Sequence, residues 1–195
     1  YRVVEYARAA DRDVVDMVSG SPDWEPPEAL REGLHDYADA DPDRFQYPPS
    51  AGLGRLRDAI AERRGVPADR VLVTNGTAEA NHLALAGALD AMPGDEVLLT
   101  DPVYPYYAGR ANFLGADTRF VPVGDDGHLD PADVRAAATP DTAAVLVNSP
   151  NNPPGGTYDA DTAEALVRVA RAPAALLARD AAYDQFDHSR RFTAA

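Results

Sequence analysis

The chain has 195 residues, of which 45% are hydrophobic, so it is long enough to bury a substantial core. It contains no cysteine, which excludes disulfides and thiolate metal ligands, and we predict no metal site. Its formal net charge of −14 disfavours binding to nucleic acid or to an anionic membrane. No apolar run approaches the ~18 residues of a membrane span, and because the first residues are charged and mixed we expect no signal peptide. We therefore expect a cytoplasmic protein.

The basic residues are all arginine, and aspartate carries most of the negative charge. This composition indicates adaptation to high salt, because screening by salt removes the repulsion between acidic side chains. A GC-rich genome would also favour Arg, Asp and Ala, so two explanations of the composition stay open.

The first 45 residues differ from the rest. They contain several prolines and aspartates, and their pattern predicts one helix over residues 26–38. We predict that residues 1–45 form an N-terminal arm and a segment of a small domain. Residues 46–195 are then the N-terminal part of a larger domain.

In that larger domain, short apolar runs alternate with stretches of helical periodicity. Strands are predicted at residues 71–74, 97–100, 118–122, 143–147 and 174–178. Helices are predicted at residues 53–64, 77–92, 131–138 and from Asp159 or Asp161 to about 171, with Asp130 as the cap of the third. This alternation predicts an α/β fold, in which crossover helices connect a mainly parallel sheet.

The first motif with chemical content is VLVTNGTAEA at residues 71–80, predicted as strand, tight turn and helix. Gly76 permits the turn. The backbone N–H groups of Thr77 and Ala78, with the Thr77 hydroxyl, form an anion site suited to a phosphate. An ordinary capped turn would give the same pattern. The motif matches neither a Walker A loop nor GxGxxG, which argues against a nucleotide.

Three further loops follow three other predicted strands. Asp180 could pair with a protonated pyridine nitrogen, and Tyr183 could donate a hydrogen bond to a ring oxygen. Asn152, in a proline-flanked loop, could bind the same oxygen, and Tyr104 could stack on a flat ring. Each motif alone is also typical of a solvated Asp, a proline turn or a core aromatic residue. Together with the first, they predict one site for a phosphorylated planar cation.

These four segments, NGTAEA at 75–80, DPVY at 101–104, NSPNNPPG at 148–155 and DAAY at 180–183, resemble those of the fold-type I aminotransferases of class I and II. The resemblance covers nearly the whole chain and implies pyridoxal 5'-phosphate (PLP) as the cofactor. It implies phosphate contacts from Gly76, Thr77 and Ala78, ring stacking by Tyr104, 3'-oxygen contacts from Asn152 and Tyr183, and a ring-nitrogen contact from Asp180.

The same resemblance assigns roles to residues near the N-terminus. Tyr47 resembles the tyrosine that reaches the phosphate of the PLP in the partner subunit, which implies a homodimer with a shared site. Gly20 resembles the glycine whose backbone lies near the substrate carboxylate. Trp24 stands where the family often has an aromatic residue near the substrate.

The chain also departs from the family pattern. Ala181 replaces an acid that usually follows the ring-binding Asp, and residues 152–155 read NPPG. The lysine that holds PLP as a Schiff base and the arginine that binds substrate would both follow Ala195. We therefore expect the N-terminal half of a longer enzyme, with no catalytic residue in these 195 residues and no activity of this chain alone.

The resemblance implies transamination between an amino acid and a 2-oxo acid. Two alternatives stay open. One is a PLP-dependent lyase, decarboxylase or synthase of the same fold. The other is a non-catalytic regulatory or binding protein of that fold.

Overall fold

The computed structural model describes residues 2–15, 20 and 24–186. The chain divides into two compact units, Tyr1–Pro48 and Pro49–Ala195. The assignment of the first residues to an arm and a small domain stays a prediction. The first unit contains α1 (Arg2–Arg8), which the sequence did not predict, and α2 (Glu28–Ala38). The predicted start of α2 was two residues early because Pro27 precedes the helix with an extended backbone.

The second unit alternates helices and strands, as predicted. Its helices are α3 (Gly54–Arg64), α4 (Gly76–Ala91), α5 (Tyr106–Phe113), α6 (Pro131–Ala137) and α7 (Ala160–Arg171). Its strands are β1 (Glu96–Asp101), β2 (Asp117–Pro122), β3 (Thr142–Asn148) and β4 (Leu176–Asp180). They form one parallel sheet in the order β2-β1-β3-β4, which confirms the α/β fold. Across the described residues, no helix has the length and apolar character needed to cross a bilayer.

Two helices begin at aspartate caps. The Asp130 side chain accepts a hydrogen bond from the N–H of Ala132, and Asp159 accepts one from the N–H of Thr162. Each carboxylate satisfies an N–H that has no partner within its helix. The cap of α7 is therefore Asp159, one of the two residues that the sequence left open.

The sheet separates two hydrophobic clusters because successive side chains of a strand point to opposite faces. On one face, Val97 and Leu99 of β1 pack with residues of α4 and α5, such as Leu85 and Ala111. On the other face, Leu98 packs in the cluster that includes residues of α6 and α7. All seven residues of β3 are buried, as expected of a strand that is covered on both faces.

The prediction of a strand at residues 71–74 is wrong. This segment belongs to no strand of the sheet, and part of its backbone bonds to other residues. The N–H of Val73 donates to the carbonyl of Ala51, and the carbonyl of Val71 accepts a hydrogen bond from Arg57.

The last strand lies two residues further along than predicted. Ala174 has a φ of 61°, in the left-handed region, and belongs to the turn that ends α7. β4 therefore begins at Leu176, and Asp180 is its last residue instead of following it.

The strand order positions the site. After β1 the chain runs through α5 to β2 on one side, and it then returns past β1 to β3 on the other side. The direction of strand succession thus reverses between β1 and β3. In open parallel sheets, ligands bind outside the carboxyl ends of the strands at such a reversal.

Candidate functional site

A pocket of about 210 Å³ lies at the carboxyl ends of β1, β3 and β4, next to the first turn of α4. Asp180 carries the only formal charge among its lining residues within the described part of the chain. The lining residues are Thr77, Ala78, Asn81, Tyr104, Tyr106, Tyr107, Asn152, Asp180, Ala182 and Tyr183. The pocket thus brings together residues from all four of the motifs found in the sequence.

Asp180 is buried at the end of β4, and neutral donors surround its carboxylate. Its Oδ2 accepts hydrogen bonds from Asn81 Nδ2 and from the Tyr107 hydroxyl, both at 2.8 Å. Its Oδ1 accepts one from the N–H of Ala182 at 3.0 Å. Burial of a carboxylate without such partners would be strongly unfavourable. None of these three donors carries a positive charge.

The Tyr107 hydroxyl is held in its protonated form. Burial raises its pKa above the ordinary tyrosine value, and the charge of Asp180 and the hydrogen bond to it raise that pKa further. Tyr107 therefore remains a hydrogen-bond donor to Asp180 over the whole physiological pH range.

Asn152 and Tyr183 meet on another side of the pocket. The Asn152 side-chain amide donates to the Tyr183 hydroxyl at 3.2 Å. The backbone N–H of Asn152 donates to Asn148 Oδ1, and Asn148 Nδ2 donates to the carbonyl of Asp180. Fully buried Asn148 therefore connects the end of β3 with the end of β4 and holds the Asn152 loop in place.

The first turn of α4 lines the pocket through Thr77 and Ala78. Gly76 precedes them with a φ of 70°, a conformation that glycine adopts without strain. The first N–H groups of a helix have no partners within it, and the helix dipole favours an anion there. This end of the pocket therefore suits an anionic group.

Tyr104 stands at the exposed side of the pocket, where 45% of its surface is accessible. It packs edge-to-face on Tyr107, with ring centroids 5.7 Å apart, and against Tyr106 at 6.0 Å. An aromatic ring so supported can stack on a planar ligand.

Gly20, Trp24 and Tyr47 belong to the unit Tyr1–Pro48, and all three are exposed within the described structure. Residues on both sides of Gly20 (16–19 and 21–23) lie outside the described residues. The roles of Gly20, Trp24 and Tyr47 stay predictions.

Several lining residues were missed in the sequence. Asn81 had a visible signal, because it lies four residues before Leu85, on the helix face that the apolar pattern predicts to be buried. Tyr107 gave no such signal, since one tyrosine in the run YPYY at 104–107 cannot be told from another by spacing. The described residues contain no group of three or more His, Cys, Asp or Glu side chains that could hold a metal ion.

The chain matches the family model "Aminotransferase class I and II" over residues 12–194. It is 36% identical, over 90% of its length, to "Probable N-succinyldiaminopimelate aminotransferase DapC" of Mycobacterium tuberculosis, and covers 46% of that protein. It is 32% identical, over 93% of its length, to the aspartate aminotransferase of Thermotoga maritima, and covers 49% of that protein.

Solved structures give the same result. The chain superimposes on the Thermus thermophilus aspartate aminotransferase with maleate at a TM-score of 0.78 and 34% identity, covering 91% of this chain and 47% of that one. N-succinyldiaminopimelate aminotransferase of Mycobacterium tuberculosis gives a TM-score of 0.74 at 35% identity, covering 83% and 44%.

The chain spans about half the length of the curated relatives that it matches. The cofactor of this family is PLP, and family members are typically dimers that bind amino acids and 2-oxo acids. The family match, the relatives and the solved structures agree with the resemblance seen in the four motifs. The chain therefore belongs to the class I and II aminotransferases.

Proposed function

We propose that this chain forms the cofactor-binding part of a PLP-dependent aminotransferase that acts on an amino acid and a 2-oxo acid. The observation that carries the proposal is the buried Asp180 carboxylate at the pocket wall, with neutral donors and no cationic partner among the described residues. A buried carboxylate of this kind favours a positively charged ligand atom, such as the N–H of a protonated pyridine.

The other lining residues fit the rest of PLP. Gly76, Thr77 and Ala78 at the start of α4 would hold the phosphate through backbone N–H groups and the Thr77 hydroxyl. The Asn152 amide and the Tyr183 hydroxyl, which lie 3.2 Å apart, would share the 3'-oxygen. Tyr104 would cover one face of the ring.

When bound, PLP supplies an electron sink for bond cleavage at the amino acid Cα. In this proposal Asp180 keeps the ring nitrogen protonated, because its negative charge stabilises the N–H. The 195 residues contain no lysine, so the amine that bonds PLP in this family is not among them. We expect this chain alone to bind PLP without transaminating.

Replacing Asp180 by Asn tests the function, since it removes the charge and keeps the shape of the side chain. We expect the affinity for PLP to fall at least about tenfold, as for the loss of a charge-assisted hydrogen bond. Titration of PLP followed by absorbance or fluorescence would measure the change. Asp90→Asn, on the exposed far end of α4, is the control and should leave the affinity unchanged. Equal affinity of Asp180→Asn and the unchanged chain would contradict the assignment.

Transamination is favoured over the lyase and decarboxylase alternatives because the curated relatives compared above are named aminotransferases. We also propose a homodimer in which Tyr47 contributes to the site of the partner, a cytoplasmic location and adaptation to high salt. The exposed Tyr47 ring supports the homodimer. The net charge of −14 supports the adaptation to high salt. Sedimentation of the unchanged chain and of Tyr47→Ala with PLP would test the shared site.

A further inference from the structure

Asn81 occupies a position at which the apolar periodicity of α4 predicts an apolar side chain. It lies four and seven residues before Leu85 and Ala88, which are buried on the helix face that packs against the sheet. Asn81 is itself buried, with 8% of its surface exposed. Asparagine is a poorer helix former than leucine, and a buried amide is unfavourable without a partner. The partner of Asn81 is Asp180 Oδ2, at 2.8 Å.

The surroundings of Asp180 define its orientation. A carboxylate has about four acceptor positions. Asn81 and Tyr107 fill two at Oδ2, and the N–H of Ala182 fills one at Oδ1. Among the contacts of the described residues, one acceptor position at Oδ1 is thus left for a ligand in the pocket that Asp180 lines. Because the donors are neutral, they fix the carboxylate without cancelling its charge.

We propose that Asn81 and Tyr107 are positioning residues that hold the Asp180 carboxylate for the ring nitrogen of PLP, so that they set how strongly the pocket prefers a ring with an N–H. This inference rests on the proposed function. It goes further because it assigns the preference to two side chains that need not touch PLP. The raised pKa of Tyr107 supports it, since the hydroxyl keeps its proton and donates at all physiological pH values.

The experiment compares two ligands that differ at one ring atom. The first is PLP, and the second is its analogue in which a C–H replaces the pyridine nitrogen. Both keep the phosphate, the aldehyde and the 3'-hydroxyl. The ratio of their dissociation constants, measured with the 195-residue chain, reports the contribution of the ring nitrogen alone.

Asn81→Leu removes the donor at nearly constant volume and restores the apolar pattern of α4. We expect the preference for PLP over the analogue to fall about tenfold, while the affinity for the analogue stays the same. Tyr107→Phe should act in the same direction, and it provides a second test if Asn81→Leu does not fold. Leu83→Ala, an exposed position on the same helix, is the matched control and should keep the full preference. Circular dichroism would verify the fold of each variant.

A spectroscopic measurement distinguishes two roles of Asn81, which are to position the Asp180 carboxylate or only to stabilise the fold. The absorption of bound PLP depends on the protonation of its ring nitrogen. A carboxylate that is no longer held in place stabilises the N–H less well. The pH at which bound PLP loses the ring proton should therefore be lower in Asn81→Leu than in the unchanged chain.

The outcomes distinguish the two proposals. If the unchanged chain does not bind PLP, the proposed function fails and the inference fails with it. If it binds PLP and the analogue equally well, the pocket assignment stands but Asp180 does not serve the ring nitrogen, and the inference is overturned. If it prefers PLP and both variants keep that preference, only the inference is wrong.

Discussion

Asp184 and Arg64 form an ion pair that connects α3 with the turn after β4. The Asp184 side chain is almost fully buried, whereas 39% of the Arg64 side chain is exposed. Burial alone would raise the pKa of Asp184, but hydrogen bonds from Arg64 and Gln185 outweigh it, and the pKa is lowered. A carboxylate with a lowered folded-state pKa stabilises the protein above its unfolded-state pKa and loses that contribution as the pH falls through the folded value.

Asp184→Asn should therefore destabilise the chain at pH 7 by about 1 kcal/mol, a small value because Arg64 is partly exposed. The difference from the unchanged chain should shrink as the pH falls below about 3.9, the unfolded-state pKa of Asp, and towards the lower folded-state value. Urea unfolding at several pH values would measure it. Asp58→Asn, an exposed position on α3, should show no such pH dependence. A difference that does not depend on pH would refute the role of the Asp184 charge.

At the residue scale, the sequence indicated several of the residues that line the pocket. Asp180 and Asn152 were singled out because a polar side chain at or shortly after the end of an apolar strand is conspicuous in the sequence. Asn81 and Tyr107 were not singled out because they contact Asp180 across 99 and 73 residues of sequence. Only the packing of α4 and α5 against the sheet makes those contacts.

At the element scale, the close approach of the segments that precede β1 and β3 depends on one glycine, Gly94. A Cβ on Gly94 would lie 1.9 Å from the carbonyl oxygen of Asp141. The same carbonyl accepts the N–H of Glu96 at 2.9 Å, so the two segments cannot separate without losing that bond. The register between β1 and β3 shifts immediately afterwards, between Glu96 and Val97.

We expect Gly94→Ala to destabilise the second unit by about 3 kcal/mol, because the backbone must move to admit the methyl group. Gly87→Ala is the matched control, since Gly87 lies exposed in α4 with no atom within 4 Å of the added Cβ. That change should stabilise the helix by about 0.5–1 kcal/mol. Denaturant unfolding of both variants would measure the contrast. Similar effects of the two substitutions would show that the approach at Gly94 is not restrictive.

Elements were predicted well where periodicity and caps agree. For α7, the apolar pattern and the two candidate caps, Asp159 and Asp161, predicted the helix to within about one residue at each end. The prediction of a strand at residues 71–74 failed because an apolar run indicates extended backbone. It does not show whether another strand is available to pair with that segment. Helix α5 was not predicted, since its sequence YYAGRANF is only eight residues long and gives few positions at which a helical pattern can be recognised.

At the scale of the whole molecule, the net charge of −14 acts against compactness. Repulsion between exposed carboxylates is screened over about 10 Å at 0.1 M salt and over about 3 Å at 1 M. The absence of lysine leaves only arginine to oppose this repulsion. Stability should therefore depend on salt more strongly than in a protein of balanced charge.

The urea midpoint of unfolding should rise between about 0.1 M and 1 M KCl as screening increases. A variant with Asp58, Asp90 and Asp125 replaced by Asn, all of them exposed, should show a smaller rise because it carries less charge. A midpoint that falls with KCl, or an equal rise in both proteins, would contradict this explanation.

The architecture as a whole followed from the sequence, because alternating strands and helices leave few topologies other than a parallel sheet with crossovers. The pocket lies where such sheets bind ligands. The strand order was beyond the sequence, because the apolar pattern of each strand shows that it is buried and not which neighbours it pairs with.

The hydrogen bonds of Asp180 to Asn81 and Tyr107 have a consequence for how the chain folds. They close loops of 99 and 73 residues, and contacts between such distant segments form slowly because the entropy of loop closure opposes them. During synthesis, α4 emerges from the ribosome well before β4, so the Asn81 amide stays without this partner until β4 arrives. A cofactor held by Asp180 can therefore stabilise only those chains in which β4 has already joined the sheet.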